Sequence, residues 1–287
     1  MPVARRTWLF VAGADPKAHE AAARSGADVL IQELEDFTPP DLRPRARTLA
    51  ALLYDRWRKA GKVAAVRVNP LETCGREDLA AVMAGRPDVV LMSKVAAPEQ
   101  VRALEEATGG DVDLVPNVET AAGLMRTFEI AKASRRVVAL LVASEDMVAD
   151  LGTNRSRGGE ELAYVRARFL VECRAAGVEA IDCPYTFSDA KGAVADARKA
   201  KRFGYRAKSL VDPSHAAPIN RVFTPSRADL QSARKIVEAF EKARASGRER
   251  ACVGGKLVEV PIYAAAKRLL ESSGRIQPAQ RRKGRRE

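Results

Sequence analysis

Short apolar or β-branched runs recur along the chain, most of them closing on a polar or charged residue. They read TWLFVAG, ADVLIQELED, VAAVRVNP, DVVLMSK, VDLVPNVE, VVALLVASED, VEAIDCP and RAKSLVDP, eight in all. Between them, residues 15–25, 41–60, 97–107, 120–132, 160–175 and 188–202 place apolar side chains at helical spacing. Strand-length runs alternating with helices predict parallel strands joined by right-handed crossovers. Eight such repeats predict an α/β fold of the (β/α)8 TIM-barrel type. An open doubly wound sheet shares this alternation, but it calls for a nucleotide fingerprint, and neither GxGxxG nor a Walker A sequence occurs.

The pattern changes after residue 222. Ser226 is a good helix cap for residues 226–247, Gly254-Gly255 marks a turn, and Pro261 opens a last amphipathic helix through Leu270. The expected division is a barrel over 1–222, a helical module over 223–273 and a basic tail over 274–287. The module is too small for its own core, so it is expected to pack on the barrel or to reach over a neighbouring subunit. The tail GRIQPAQRRKGRRE holds six basic residues and one acid and lacks apolar periodicity, so it is expected to be disordered.

Composition narrows the function classes. A chain of 287 residues that is 46% hydrophobic can bury one large core. No run is long enough to span a membrane. The opening MPVARRTWLFVAGADP is basic and then apolar, but Gly13, Asp15 and Pro16 interrupt it early, so it reads as a first strand rather than a signal peptide. Cys74, Cys173, Cys183 and Cys252 are scattered, without CxxC spacing, which fits thiols of a reducing cytoplasm and not zinc. Of the net charge of +12, the tail supplies +5 (six basic residues less one acid). The remainder fits a site that attracts phosphate or carboxylate ligands. Nucleic acid is not an expected partner beyond a charge contact with the basic tail.

Barrels of this type carry their chemistry at the C-terminal ends of the strands. Those positions hold Gly13, Glu35 and Asp36, Arg67 and Asn69, Lys94, Glu119, Asp146, Asp182 with Tyr185, and Asp212. Glu35, Asp36 and Lys94 are candidate substrate-binding groups. Glu119 and Asp146 each end an apolar run immediately before a helix. Two acids so delivered can share a divalent cation that keeps several waters; each can equally serve as a helix cap. On the pair alone the two readings stand level.

The motifs RTWLFVAG, the LED of QELED, RVNP, SK, VETAAGL, SEDMVADLG, AID, DPSHAAPINRVFTPS and GGKLVEVP follow one another in a fixed order. In that order the chain resembles the HpcH/HpaI aldolase superfamily, and within it the citrate lyase beta-subunit-like and malyl-CoA lyase branch, over residues 5–273. The most specific element is ET followed 27 positions later by the second acid of ED-x-x-x-D-L-G. The resemblance implies that Glu119 and Asp146 bind Mg2+, that Arg67 faces the substrate carbonyl, and that backbone amides around Ser144 and Glu145 hold a carboxylate. It implies that Glu259 reaches the site from an adjacent subunit of a homotrimer or hexamer and exchanges a proton. The implied reaction is reversible Claisen-type cleavage of malyl-, citramalyl- or citryl-CoA into a 2-oxo acid and acetyl-CoA, with CoA entering as part of the substrate.

At several positions the chain departs from the family pattern. Glu259 stands where most relatives carry Asp, and VDPSH replaces IHPxQ, so Asp212 takes a histidine's place and His215 a glutamine's. Ala12 replaces a proline, and Glu33 is a lengthened Asp. Two other readings accompany the lyase: a citrate lyase subunit acting on a carrier-protein thioester, and a non-catalytic barrel whose tail recruits a partner. A histidine-dependent pyruvate aldolase ranks lower, because only His19 and His215 exist and His19 is expected to face solvent.

Overall fold

The computed structural model describes residues 4–276. It divides into two compact units, Arg5–Phe223 and the segment from Thr224 onward.

The first unit is the expected closed barrel of eight parallel strands. In chain order it runs β1 (Thr7–Ala12), α1 (Pro16–Arg24), β2 (Val29–Glu33), α2 (Arg43–Lys59), β3 (Val63–Val68), α3 (Gly75–Val82) and β4 (Val89–Met92). It continues through α4 (Pro98–Thr108), β5 (Asp113–Val118), α5 (Ala121–Met125), α6 (Thr127–Lys132), β6 (Ala139–Val142) and α7 (Glu145–Asp150). It ends with α8 (Ala163–Ala176), β7 (Glu179–Asp182), α9 (Ala190–Phe203), β8 (Ala207–Leu210) and α10 (Ala216–Phe223). The ring closes where Thr7, Trp8 and Leu9 pair with Lys208, Ser209 and Leu210.

Strand alternation sorts the side chains into two layers. Trp8, Phe10, Val29, Ile31, Val63, Ala65, Leu91, Val115, Leu141 and Ile181 pack together inside the barrel. Their strand neighbours, among them Leu9, Leu30, Leu34, Val66 and Leu140, pack with residues of the surrounding helices. Each fully buried Val, Leu or Ile contributes roughly 1.5–3 kcal/mol. Inside the barrel the apolar filling gives way at one end to Glu33, Arg67 and Glu119, all buried.

Two charged positions differ from expectation. Asp182 does not join the rim. In-facing Ile181 precedes it, so it turns outward, where Arg166 donates Nε and Nη2 to its two oxygens at 2.8 and 2.7 Å. Lys208 Nζ lies 2.6 Å from both Asp182 and Asp196, completing a buried cluster of two cations and two acids. His19 does not face solvent. It is buried in edge contact with Trp57, with Nε2 2.9 Å from the Ala12 carbonyl. Burial lowers its pKa, against smaller opposing effects of the Ala12 carbonyl and Asp15.

The helix expected over 120–132 is split. Arg126 leaves the helical conformation, and the Thr127 hydroxyl donates to the Leu124 carbonyl at 2.9 Å, competing with the backbone ladder.

In the second unit, α11 (Arg227–Ala245) opens on a capping box between Ser226 and Asp229. The antiparallel pair β9 (Ala251–Val253) and β10 (Lys256–Val258) turns through Gly254 and Gly255, whose φ of 57° and 76° suit a two-residue hairpin. The last helix, α12 (Val260–Ile276), continues past Leu270, and Tyr263 stacks on Phe240 at 4.7 Å. The remainder of the basic tail, residues 277–287, lies outside the described residues. No described helix is long and apolar enough to cross a membrane. All four cysteines are free.

Candidate active site

The turn after β2 is built around Glu33. Its carboxylate accepts from the backbone N–H of Glu35 at 2.7 Å and of Phe37 at 2.5 Å, and from Arg67 Nε at 2.9 Å. The turn is also held from outside, where Arg43 donates to the Glu35 carbonyl and the Thr38 hydroxyl to the Glu33 carbonyl. Gly13 approaches this turn so closely that a Cβ would lie 2.3 Å from the Glu33 carbonyl oxygen, so only glycine fits.

Arg67 is the hub. It is buried, its guanidinium lies 4.7 Å from the centre of the Phe10 ring, and its Nη2 is 3.1 Å from Glu35. Asp36 is more distant at 4.0 Å and half exposed, and Glu119 faces Nη1 at 3.6 Å. Burial disfavours the arginine's charge, but Glu33, Glu119 and Glu35 outweigh it and hold its pKa above the ordinary value. Glu35 lies between Arg67 and Lys94, whose Nζ donates to it at 2.5 Å. Burial raises the Glu35 pKa, with both cations opposing, while the hydrogen bond to Glu35 raises that of Lys94. Lys94 adopts a left-handed backbone at φ 56°, uncommon for a residue with a side chain. Such outliers persist only where surrounding structure enforces them, often at functional sites.

Glu119 directly follows β5 and is fully buried, and neither carboxylate oxygen has a hydrogen-bond partner. Burial pushes its pKa up to about 8; Arg67 opposes this, and Glu35 and Asp146 add to it. The helix-cap alternative fails for this acid, because Thr120 holds the N-cap of α5 and accepts from the Gly123 N–H at 3.2 Å. At the next strand Ser144 holds the corresponding position of α7, leaving Asp146 half-buried in the first turn. Glu145 is turned aside: its side chain accepts from Thr186 at 2.8 Å and faces Arg155 Nε at 3.4 Å. The described residues contain no cluster of three or more His, Cys, Asp or Glu able to cage a metal. What they offer is a pair of carboxylates, one of them buried and without a hydrogen-bond partner. That donor set suits a hard cation completed by water or ligand oxygens.

Other rim candidates are structural. Asn69 donates to the Leu34 carbonyl and to Asp78, Tyr185 donates to Asp189, and Asp212 caps the turn at Ser214. Glu259 belongs to the C-terminal unit, between β10 and α12. It is exposed and lies 3.4 Å from Arg250. Two residues were not anticipated as site members, Glu33 as the anchor of Arg67 and Asn117 on β5. Strand alternation was the available signal, since each is in-facing and buried at the same end of the barrel.

Comparisons with known proteins bear on the family and the fold. The family model described as HpcH/HpaI aldolase/citrate lyase matches residues 6–213. Citrate lyase subunit beta of Escherichia coli (strain K12) is 31% identical over 93% of this chain and 92% of its own length. A (3S)-malyl-CoA thioesterase of Cereibacter sphaeroides is 31% identical over 94% of this chain and 95% of its own. The crystal structure of CitE from Mycobacterium tuberculosis, in complex with magnesium, acetoacetate and coenzyme A, superposes with a TM-score of 0.76. It is 27% identical and covers 94% of this chain and 98% of that one. A barrel matched almost throughout by the family model, and relatives matched nearly end to end, give one answer: the chain belongs to the HpcH/HpaI aldolase/citrate lyase family, and is an enzyme of the lyase class.

Proposed function

We propose that this enzyme is a Mg2+-dependent carbon–carbon lyase that reversibly cleaves a 3-hydroxy-dicarboxylic acyl-CoA thioester, of the malyl, citramalyl or citryl type, into a 2-oxo acid and acetyl-CoA. The observation that carries the reading is Glu119, a buried carboxylate whose two oxygens lack hydrogen-bond partners, beside Asp146 and opposite Arg67. Leaving such a group without a ligand is costly, so its placement favours a cation. The M. tuberculosis structure named above, in complex with magnesium and coenzyme A, supports the same reading.

Bound by these carboxylates, Mg2+ would act as a Lewis acid toward the carboxylate and adjacent oxygen of the oxo acid. The backbone amides of Ser144 and Glu145 would donate to that carboxylate. In the cleavage direction the 3-hydroxyl gives its proton to water, its oxygen becomes the carbonyl of the oxo acid, and the bond between the second and third carbons breaks. The electron pair passes to the thioester oxygen, and Arg67 donates hydrogen bonds to that oxygen as its charge develops. Glu33 and Glu35 fix the guanidinium beforehand, so it need not reorganise. Glu259, contributed by a neighbouring subunit of a homotrimer or hexamer, would protonate the enolate carbon to give the methyl group. Four free thiols suit action in the reducing cytoplasm.

The test is a panel of malyl-, citramalyl- and citryl-CoA incubated with Mg2+, following oxo acid and free thiol separately. The expected result is oxo-acid release from at least one thioester, abolished in Glu119→Ala. The thioesterase relatives make thiol release the second readout, which identifies hydrolysis after or instead of cleavage. No oxo acid from any member of the panel would overturn the reading.

A further inference from the structure

An exposed aromatic ring at the barrel mouth has no part in the chemistry above. Phe37 lies in the turn after β2 and is 43% exposed. Its ring meets that of Phe10 edge-on, with centroids 6.2 Å apart and planes at 72°. Phe10 faces into the barrel, and the Arg67 guanidinium rests 4.7 Å from the centre of the same ring. Among the described residues, Phe37 is the one large exposed apolar side chain in ring contact with an inward-facing strand residue.

Two ties hold this ring in register with Arg67. The first is Phe10, which touches both. The second is the Glu33 carboxylate: Oε2 accepts from the Phe37 backbone N–H at 2.5 Å, while Oε1 accepts from Arg67 Nε at 2.9 Å. A lone exposed phenylalanine needs no explanation by itself. What sets this one apart is its fixed place beside a hydrogen-bond donor. A thioester has the two matching halves. Its carbonyl oxygen accepts, while its sulfur and the methylenes beyond are apolar and polarisable, and sulfur favours contact with an aromatic ring. A free carboxylate has the accepting oxygen but would set a second charged oxygen against the ring, which has no donor to offer it.

We propose that Phe37 is a substrate-binding residue that packs against the sulfur and adjoining methylenes of the thioester, so that the site prefers a thioester to the corresponding free acid. This inference rests on the lyase reading, which puts the thioester oxygen at Arg67. Malyl-, citramalyl- and citryl-type thioesters all carry the same sulfur arm, so Phe37 does not choose among acyl groups. The contact falls on the part that coenzyme A shares with a carrier-bound pantetheine, and it serves either.

The test is calorimetric titration of the full-length protein with Mg2+ and oxalate present; oxalate chelates the ion as a 2-oxo acid does but has no ketone to react. The titrants are acetyl-CoA, acetyl-pantetheine, which keeps the thioester arm without the nucleotide, and adenosine 3′,5′-bisphosphate, which is the nucleotide end alone. The proteins are the wild type, Phe37→Ala and Phe37→Leu, each checked by thermal unfolding and, for assembly mass, by light scattering. In Phe37→Ala, acetyl-CoA and acetyl-pantetheine are expected to bind about tenfold more weakly, the worth of covering about 55 Å2 of apolar ring. Phe37→Leu is expected to lose less, and carries the comparison if the alanine variant does not fold. The bisphosphate should bind all three proteins alike. Equal binding of acetyl-pantetheine to all three, or a loss confined to the bisphosphate, would overturn the inference while the lyase reading stands. A change in assembly mass with all three affinities falling together would overturn it likewise, by showing that the ring packs on a second copy of the chain. If neither thioester binds the wild type, the thioester site itself is absent and both readings fail.

Discussion

Metal binding at this rim is expected to expel a proton, because burial, against the opposing charge of Arg67, holds the Glu119 carboxyl at a pKa of about 8. Mg2+ takes the ionised form, so every binding event below that pKa must first remove the proton. At pH 7 the carboxyl is protonated roughly ten times for each ionised copy, so about 0.9 proton leaves per ion bound. The apparent affinity at pH 7 is then about tenfold weaker than at pH values well above 8, a loss of about 1.4 kcal/mol. The logarithm of Kd falls with a slope near −1 per pH unit from about pH 6 to 8 and levels off beyond.

The sign for stability follows. The folded pKa lies above the ordinary value of 4.5, so this group's contribution is fully present below 4.5 and is lost as pH climbs through about 8. The thermal stabilisation given by Mg2+ should therefore grow from pH 6 to 8. Calorimetry in two buffers of different ionisation heat counts the released protons directly. Asp146→Asn, which removes a like charge, should lower the Glu119 pKa, read from the pH dependence of thermal unfolding without metal. A Kd flat between pH 6 and 8, with no buffer dependence, would refute the reasoning.

Three further outcomes are expected. Lys208→Met leaves Asp182 and Asp196 with one fewer buried cation, and should destabilise the fold by about 3–5 kcal/mol in urea unfolding while metal binding persists. Arg67→Lys keeps a charge but loses the fork that spans Glu33 and Glu35, so kcat should fall about 100-fold or more, with Mg2+ affinity little changed. His19 is buried with a lowered pKa, so its contribution to stability should be present above 6.5 and be lost as pH falls below it; Glu or Asp protonation aside, His19→Gln should flatten that part of the profile in thermal unfolding.

The barrel was legible because apolar runs of strand length alternate with helical spacing, and the acid pair because each acid ends a run at the same edge. The ordering within each strand carried more than the runs alone revealed. Asn117 sits inside VDLVPNVE, which reads as one apolar run ending in an acid, yet counting back two from Glu119 puts it on the inner face. The same count from Ile181 and Ala207 turns Asp182 and Lys208 outward, into a layer where charges survive only because they pair with Arg166 and Asp196. His19 read as a surface residue because histidine is polar; what buries it is the Ala12 carbonyl at the strand exit and the T-shaped contact with Trp57. The break at Arg126 left no trace in a pattern that stays amphipathic across it.

The backbone at Lys94 sets stability against use. A left-handed conformation costs a residue with a Cβ about 1–2 kcal/mol, which glycine would escape. The same substitution removes the ammonium that grips Glu35. Selection for heat resistance alone would thus drift toward glycine at this position and yield a sturdier protein whose Glu35 is held by Arg67 alone.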